Sequence, residues 1–156
     1  MNPPSRGLTA LVALVAIPAC GDDNAGPVPA APEGYPFAYA ADACGPTDGP
    51  ATRLYLSADS TTGVPTDAPR LEVVIYRRAA DLQGRSFSWR ASSPDAWAGR
   101  CASDGSCLEA SSAAVKFRDN PADTVLTGTV RLRFQDGTTA SGGFEAAWRR
   151  TGLLCG

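Results

Sequence analysis

The sequence predicts a small, mainly antiparallel all-β domain, either a sandwich or an open barrel, and three observations carry that prediction. Apolar residues recur at every second position along most runs after residue 50; clusters of Gly, Pro, Asp, Asn and Ser separate those runs; and no segment sustains a helical stripe of useful length. Leu54 and Leu56 alternate within 53–58, and Leu71, Val73 and Ile75 within 70–78. Phe87 and Trp89 mark a short strand in 85–90, and Ala113, Val115 and Phe117 another in 111–118. Two longer strands, 125–134 and 138–148, close the chain. Turns are expected at 59–69, 92–95, 104–105, 119–123 and 136–137, and residues 79–83 have room for at most one helical turn.

The register of the last hairpin follows from parity. A two-residue turn at Asp136-Gly137 would pair Phe134 with Thr139 and put Phe144 and Trp148 on the face opposite Val130, Leu132 and Phe134. A three-residue loop, Gln135-Asp136-Gly137 with Gly137 left-handed, restores one common apolar face. It opposes Leu132 to Ala140, Val130 to Gly142, Gly128 to Phe144 and Leu126 to Ala146, each a large residue against a small one. Such pairing suits a strongly curved ribbon. On this register Gly143 points outward, so Gly143→Val is expected to be milder than Gly128→Val.

At the other end, Arg6 precedes an apolar run at 8–17 that is followed by Pro18-Ala19-Cys20-Gly21. Ten helical residues measure about 15 Å, roughly half a bilayer core, so the run reads as the apolar part of an export signal rather than a membrane span. Ile17-Pro18-Ala19-Cys20 resembles the lipobox of bacterial lipoproteins. That resemblance implies cleavage before Cys20, acylation of its thiol, palmitate among the acyl chains, and a membrane-anchored protein of the cell envelope facing the periplasm or the exterior. The expected organisation is a signal peptide at 1–19, a lipidated cysteine with a disordered Pro/Ala/Gly-rich tether at 20–42, and one β domain at 43–156. The tether, with prolines at 27, 29, 32 and 36, would let the domain stand clear of the bilayer.

Five cysteines are an odd number, and acylation of Cys20 would leave Cys44, Cys101, Cys107 and Cys155 for two disulfides. Three connectivities are open. Spacing favours Cys101 with Cys107, around the Asp104-Gly105 turn, and Cys44 with Cys155, from the start of the domain to its end.

The residues offer little chemistry. The chain has no histidine, which removes Ser-His-Asp and Cys-His catalysis and His-ligated metals. Neither CxxC pairs nor a nucleotide-binding motif in a strand-to-helix context occurs, so no cofactor is implied. Residues 119–123 offer oxygens but not the order of a calcium loop, and no metal site follows. Glu72, Glu109 and Glu145 lie on or beside strands and are the remaining acid-base candidates; as solvated strand residues they would simply balance arginines. The net charge of −2 carries no nucleic-acid signature.

The candidate contact residues are Lys116, Arg118, Arg131 and Arg133, which alternate outward on strands expected to be neighbours, and Trp97, in the stretch before Cys101. Trp89 and Trp148 fall in phase with the apolar face. The chain as a whole is similar to small bacterial envelope lipoproteins, including the closing patterns at 128–137 and 143–148. The resulting expectation is a monomeric, non-catalytic, membrane-tethered binding or structural module whose partner is an anionic glycan or an envelope protein. An inhibitor of a cell-wall hydrolase, acting through a rigid loop at 93–107, and a carboxylate-dependent glycan-acting enzyme are the alternatives.

Overall fold

The computed structural model describes residues 26–119, 124–149 and Cys155, so the expected signal segment and Cys20 lie outside the described residues. The described residues form eight strands: β1 (Phe37–Cys44), β2 (Pro50–Ser57), β3 (Arg70–Ile75), β4 (Ser86–Arg90), β5 (Ala96–Cys101), β6 (Cys107–Phe117), β7 (Val125–Phe134) and β8 (Thr139–Arg149). One 3-10 turn, Ala79–Asp81, precedes β4 and leads into the fully buried Leu82.

Strands pair in the order β4-β6-β5-β3-β2-β1-β8-β7, and β7 returns to β6. The sandwich-or-barrel alternative is thereby settled: seven strands close a barrel, and β4 is an extra strand on β6. Every pairing is antiparallel except β1 with β8. Two junctions are narrow. β1 meets β8 only from Tyr39–Ala147 to Ala41–Arg149, and β5 meets β6 only from Gly99–Glu109 to Cys101–Cys107. Each narrow junction carries a disulfide: Cys44–Cys155 beyond the first and Cys101–Cys107 within the second. This is the connectivity that spacing favours.

Alternation sends Leu54, Leu56, Leu71, Val73, Val115, Val130 and Leu132 inward, where they join Phe117, Phe134 and Phe144 in one continuous core. Phe117 stands edge-on to both Phe87 and Phe144, with centroids 5.9 Å apart in each pair. The last hairpin has the parity-derived register: Gly128 opposes Phe144, Val130 opposes Gly142, and Leu132 opposes Ala140. Its loop closes through the Gly137 N–H to the Phe134 carbonyl at 3.1 Å, with Gly137 at φ 82°. Trp89 and Trp148 pack half-buried on the core, in phase as expected.

Two expectations need correction. Residues 37–42 are strand, not tether, because β1 pairs with β2 along its whole length from Phe37–Ser57 to Cys44–Pro50. The folded unit therefore begins ahead of residue 43. Ahead of β1, residues 28–32 pack along the edge of β8 that β1 does not cover, and Pro32 is fully buried. The Gly143 N–H donates to the Ala30 carbonyl at 2.7 Å, so this strap continues the sheet. A Cβ on Gly143 would come closer than 3.0 Å to Pro29 and Val28, so its outward side is filled rather than open. Residues 96–101, within the stretch expected to be a loop at 93–107, are strand β5, whose inward Ala96 and Ala98 let the narrow barrel close.

Candidate functional site

The expected basic stripe exists, and strand register explains it. Across β6 and β7, Ser112 faces Arg133, Ala114 faces Arg131, and Lys116 faces Thr129. These positions alternate with the inward Ala113, Val115, Val130 and Leu132, so all point outside the barrel. β4 extends the surface through Ser86 opposite Lys116 and Arg90 opposite Ser112, and β8 extends it through Ser141 opposite Arg131. A groove of about 560 Å³ runs over this wall, lined among others by Pro29, Ser86, Ser88, Lys116, Thr129, Arg131 and Ser141. Two cations and four hydroxyls over a floor of Ala114 and Val115 suit phosphate or carboxylate oxygens.

Arg118 has a different task. Its guanidinium donates to the carbonyls of Gly26 and Pro27, the second bond being 2.9 Å long. Thus one of the four stripe cations holds the strap, and the strap's Pro29 forms one wall of the groove. The ion pairs among the described residues are Arg53–Glu72, Arg70–Glu72 and Arg100–Asp136; Arg131 and Arg133 belong to none of them.

The other candidates do not converge on this groove. Trp97 lies on the outer side of β5, covering Gly99 and packing beside Ala43, Ala51, Val74 and Tyr76. Glu72 is buried on the outside of β3, where Arg53 Nε lies 3.4 Å from one carboxylate oxygen and Arg70 Nε 3.1 Å from the other. Burial works against the charge on Arg53, yet the Tyr55 hydroxyl and the Glu72 carboxylate prevail and raise its pKa. Burial also raises the pKa of Tyr55. Glu109 sits one strand beyond Gly99 from Glu72, and its carboxylate accepts the Ser92 N–H at 3.0 Å. Glu145 is exposed on β8, opposite Thr127. Among the described residues, no three of His, Cys, Asp and Glu gather closely enough to hold a metal ion.

The β7–β8 loop is fixed by Asp136, whose carboxylate accepts the Thr138 hydroxyl at 2.6 Å, the Thr138 N–H at 2.9 Å and an Arg100 N–H at 2.8 Å. Those Thr138 bonds, with help from Arg100, lower the Asp136 pKa. A depressed folded-state value stabilises fully above the ordinary aspartate pKa of about 3.9, and that contribution disappears as pH falls through the lower folded value. Asp136→Asn should therefore melt below the wild type at neutral pH, with the gap narrowing in acid below that range. A gap independent of pH in parallel thermal melts would refute the assignment.

Sequence reasoning placed the stripe but missed the strap that adjoins it. The available signal was the Gly142-Gly143 pair inside a strand, since paired strand glycines mark a close approach of another backbone. Comparison with family models, curated proteins and solved structures returned no match.

Proposed function

We propose that the protein is a non-catalytic, lipid-anchored binding module of the bacterial cell envelope, which takes anionic groups on the outer wall of β4, β6, β7 and β8. The observation that carries the anchored part is the disposition of thiols: four of the five cysteines pair in two disulfides, and Cys20 is left at the lipobox-like position. Disulfides favour an oxidising compartment, in keeping with export. Acylation with two or more chains would hold the protein on the membrane, where one chain binds only marginally.

The groove supports the binding part. It combines Lys116 and Arg131 with the hydroxyls of Ser86, Ser88, Thr129 and Ser141 on a rigid sheet. A carboxylate-dependent enzyme is the weaker reading, because both oxygens of Glu72 are taken up by arginines, and Glu109, held by the Ser92 N–H, and Glu145, on β8, do not converge with it on a cleft. An inhibitory role has one observation in its favour: residues 102–106 form an exposed loop closed by Cys101–Cys107 and by an Ala102 N–H to Ser106 carbonyl bond of 2.8 Å.

Mass spectrometry of membrane-extracted protein tests the anchor. The expected N-terminus is Cys20 carrying diacylglyceryl mass, and Cys20→Ser should release the protein from the membrane fraction. An unmodified chain starting elsewhere, or unchanged localisation of the variant, would overturn the lipoprotein reading.

A further inference from the structure

We infer that the basic wall of the barrel lies against the anionic phospholipid headgroups of the bilayer in which the chain is anchored, serving as its second membrane contact. The inference rests on the lipid-anchor reading of Cys20. It comes from the strap. A tether free to residue 42 would let the domain drift tens of ångströms from the membrane, but Arg118 binds the carbonyls of Gly26 and Pro27, and Pro32 is buried. Only the backbone between Cys20 and Gly26 separates the acyl chains from the fold. Fully extended, it spans at most about 22 Å.

The point where the chain leaves the barrel is also the basic point. Arg118, which receives the strap, follows the last residue of β6 and is next but one to the outward Lys116, and Pro29 shares the groove with Lys116 and Arg131. The outward positions of β4, β6, β7 and β8 carry Arg90, Lys116, Arg131 and Arg133 against Glu109 and Glu145, and Arg118 adds its charge one residue past the end of β6. That excess belongs to a chain whose net charge is −2, so positive charge is concentrated on the face nearest the anchor. A surface potential acts only within a Debye length, about 8 Å at physiological salt. The short leash brings the cations into that range. An acyl anchor and a basic patch together form the familiar two-signal attachment, and the hydroxyl-lined groove offers a headgroup phosphate both donors and charge.

The test uses the mature chain carrying Cys20→Ser, so that vesicle binding reports the protein face without an acyl contribution. It should bind phosphatidylglycerol vesicles at low ionic strength, ignore phosphatidylcholine vesicles and dissociate as salt is raised. Arg131→Gln and Arg133→Gln, both at exposed positions, should each weaken binding about fivefold, with unchanged melting. Arg77→Gln and Arg78→Gln, exposed but outside this wall, should leave binding unchanged.

Equal binding to both lipids, no binding by the folded chain, or equal losses in the Arg77 and Arg131 variants would overturn the inference. Capture of a soluble anionic polysaccharide by a chain that ignores vesicles would also overturn it, in favour of a glycan. Because this chain has no acyl group, failure here leaves the mass-spectrometric test of Cys20 standing, and failure of that test leaves the vesicle result standing.

Discussion

Gly128→Val should be among the most damaging single substitutions in the barrel, costing about 3 kcal/mol or more, at the upper end of what overpacking produces. A Cβ there would fall closer than 3.0 Å to the Lys116 carbonyl oxygen and 2.7 Å from the Phe144 ring. The aromatic ring has some freedom to move. The carbonyl does not, because it belongs to β6, which pairs with β7 on one side and with β4 on the other. Relief requires spreading β6 from β7 at the level where Phe117 meets Phe87 and Phe144 edge to face.

Gly143→Val meets an equally close obstacle in Pro29 and Val28, but that obstacle is the strap. Residues 28–30 have a strand on one side only, so they are displaced more cheaply than β6. The expected result is a modest loss of melting temperature with increased amide exchange and proteolysis near residues 28–32. The order of severity is therefore the one that parity alone gives, although the reason for Gly143 is different. Urea titration of both variants would decide it; a Gly143 variant that melts below the Gly128 variant would show the strap to be an integral part of the core.

Why the strap escaped the sequence, when the hairpin beside it did not, is a matter of what signals apolar burial. Leu126 to Phe134 and Phe144 to Trp148 bury large side chains on one face, so a slipped register exposes several of them and parity fixes the answer. Segment 26–36 buries Pro32 and backbone, and backbone contacts leave no periodic mark. β1 and β5 were hidden for a related reason: Ala38, Ala40, Ala96 and Ala98 are small because the wall of a narrow barrel admits little else there, and Gly99 is bare because the Trp97 ring covers it on the outer side. Small residues carry weak strand propensity, and these strands form because neighbours on both sides complete their hydrogen bonds. The stripe at Lys116, Arg131 and Arg133 was legible, since alternation places charges outward on any half-exposed strand. The commitment of Arg118 to Gly26 and Pro27 was not, because it depends on two segments about ninety residues apart.

Removing Cys44–Cys155 should cost about 4–5 kcal/mol in the loop-entropy model, and removing Cys101–Cys107 about 2 kcal/mol, because the bridges span 111 and 6 residues. The topology makes the difference more than entropic. At the β5–β6 junction the two strands follow one another through a short loop, so the chain itself keeps them adjacent when the bridge is gone. At the β1–β8 junction the partners come from opposite ends of the fold, their pairing is parallel, and it runs only from Tyr39–Ala147 to Ala41–Arg149. Without its disulfide, nothing covalent opposes opening of the barrel at that seam. The paired replacement Cys44→Ser with Cys155→Ser should therefore raise amide exchange first at residues 39–41 and 147–149, with the β6–β7 ladder still protected. The corresponding Cys101→Ser and Cys107→Ser protein should loosen only locally, around residues 99–109. Equal losses in denaturant titrations of the two proteins, or exchange that rises uniformly around the barrel, would show that the seam is held by its core contacts rather than by the staple.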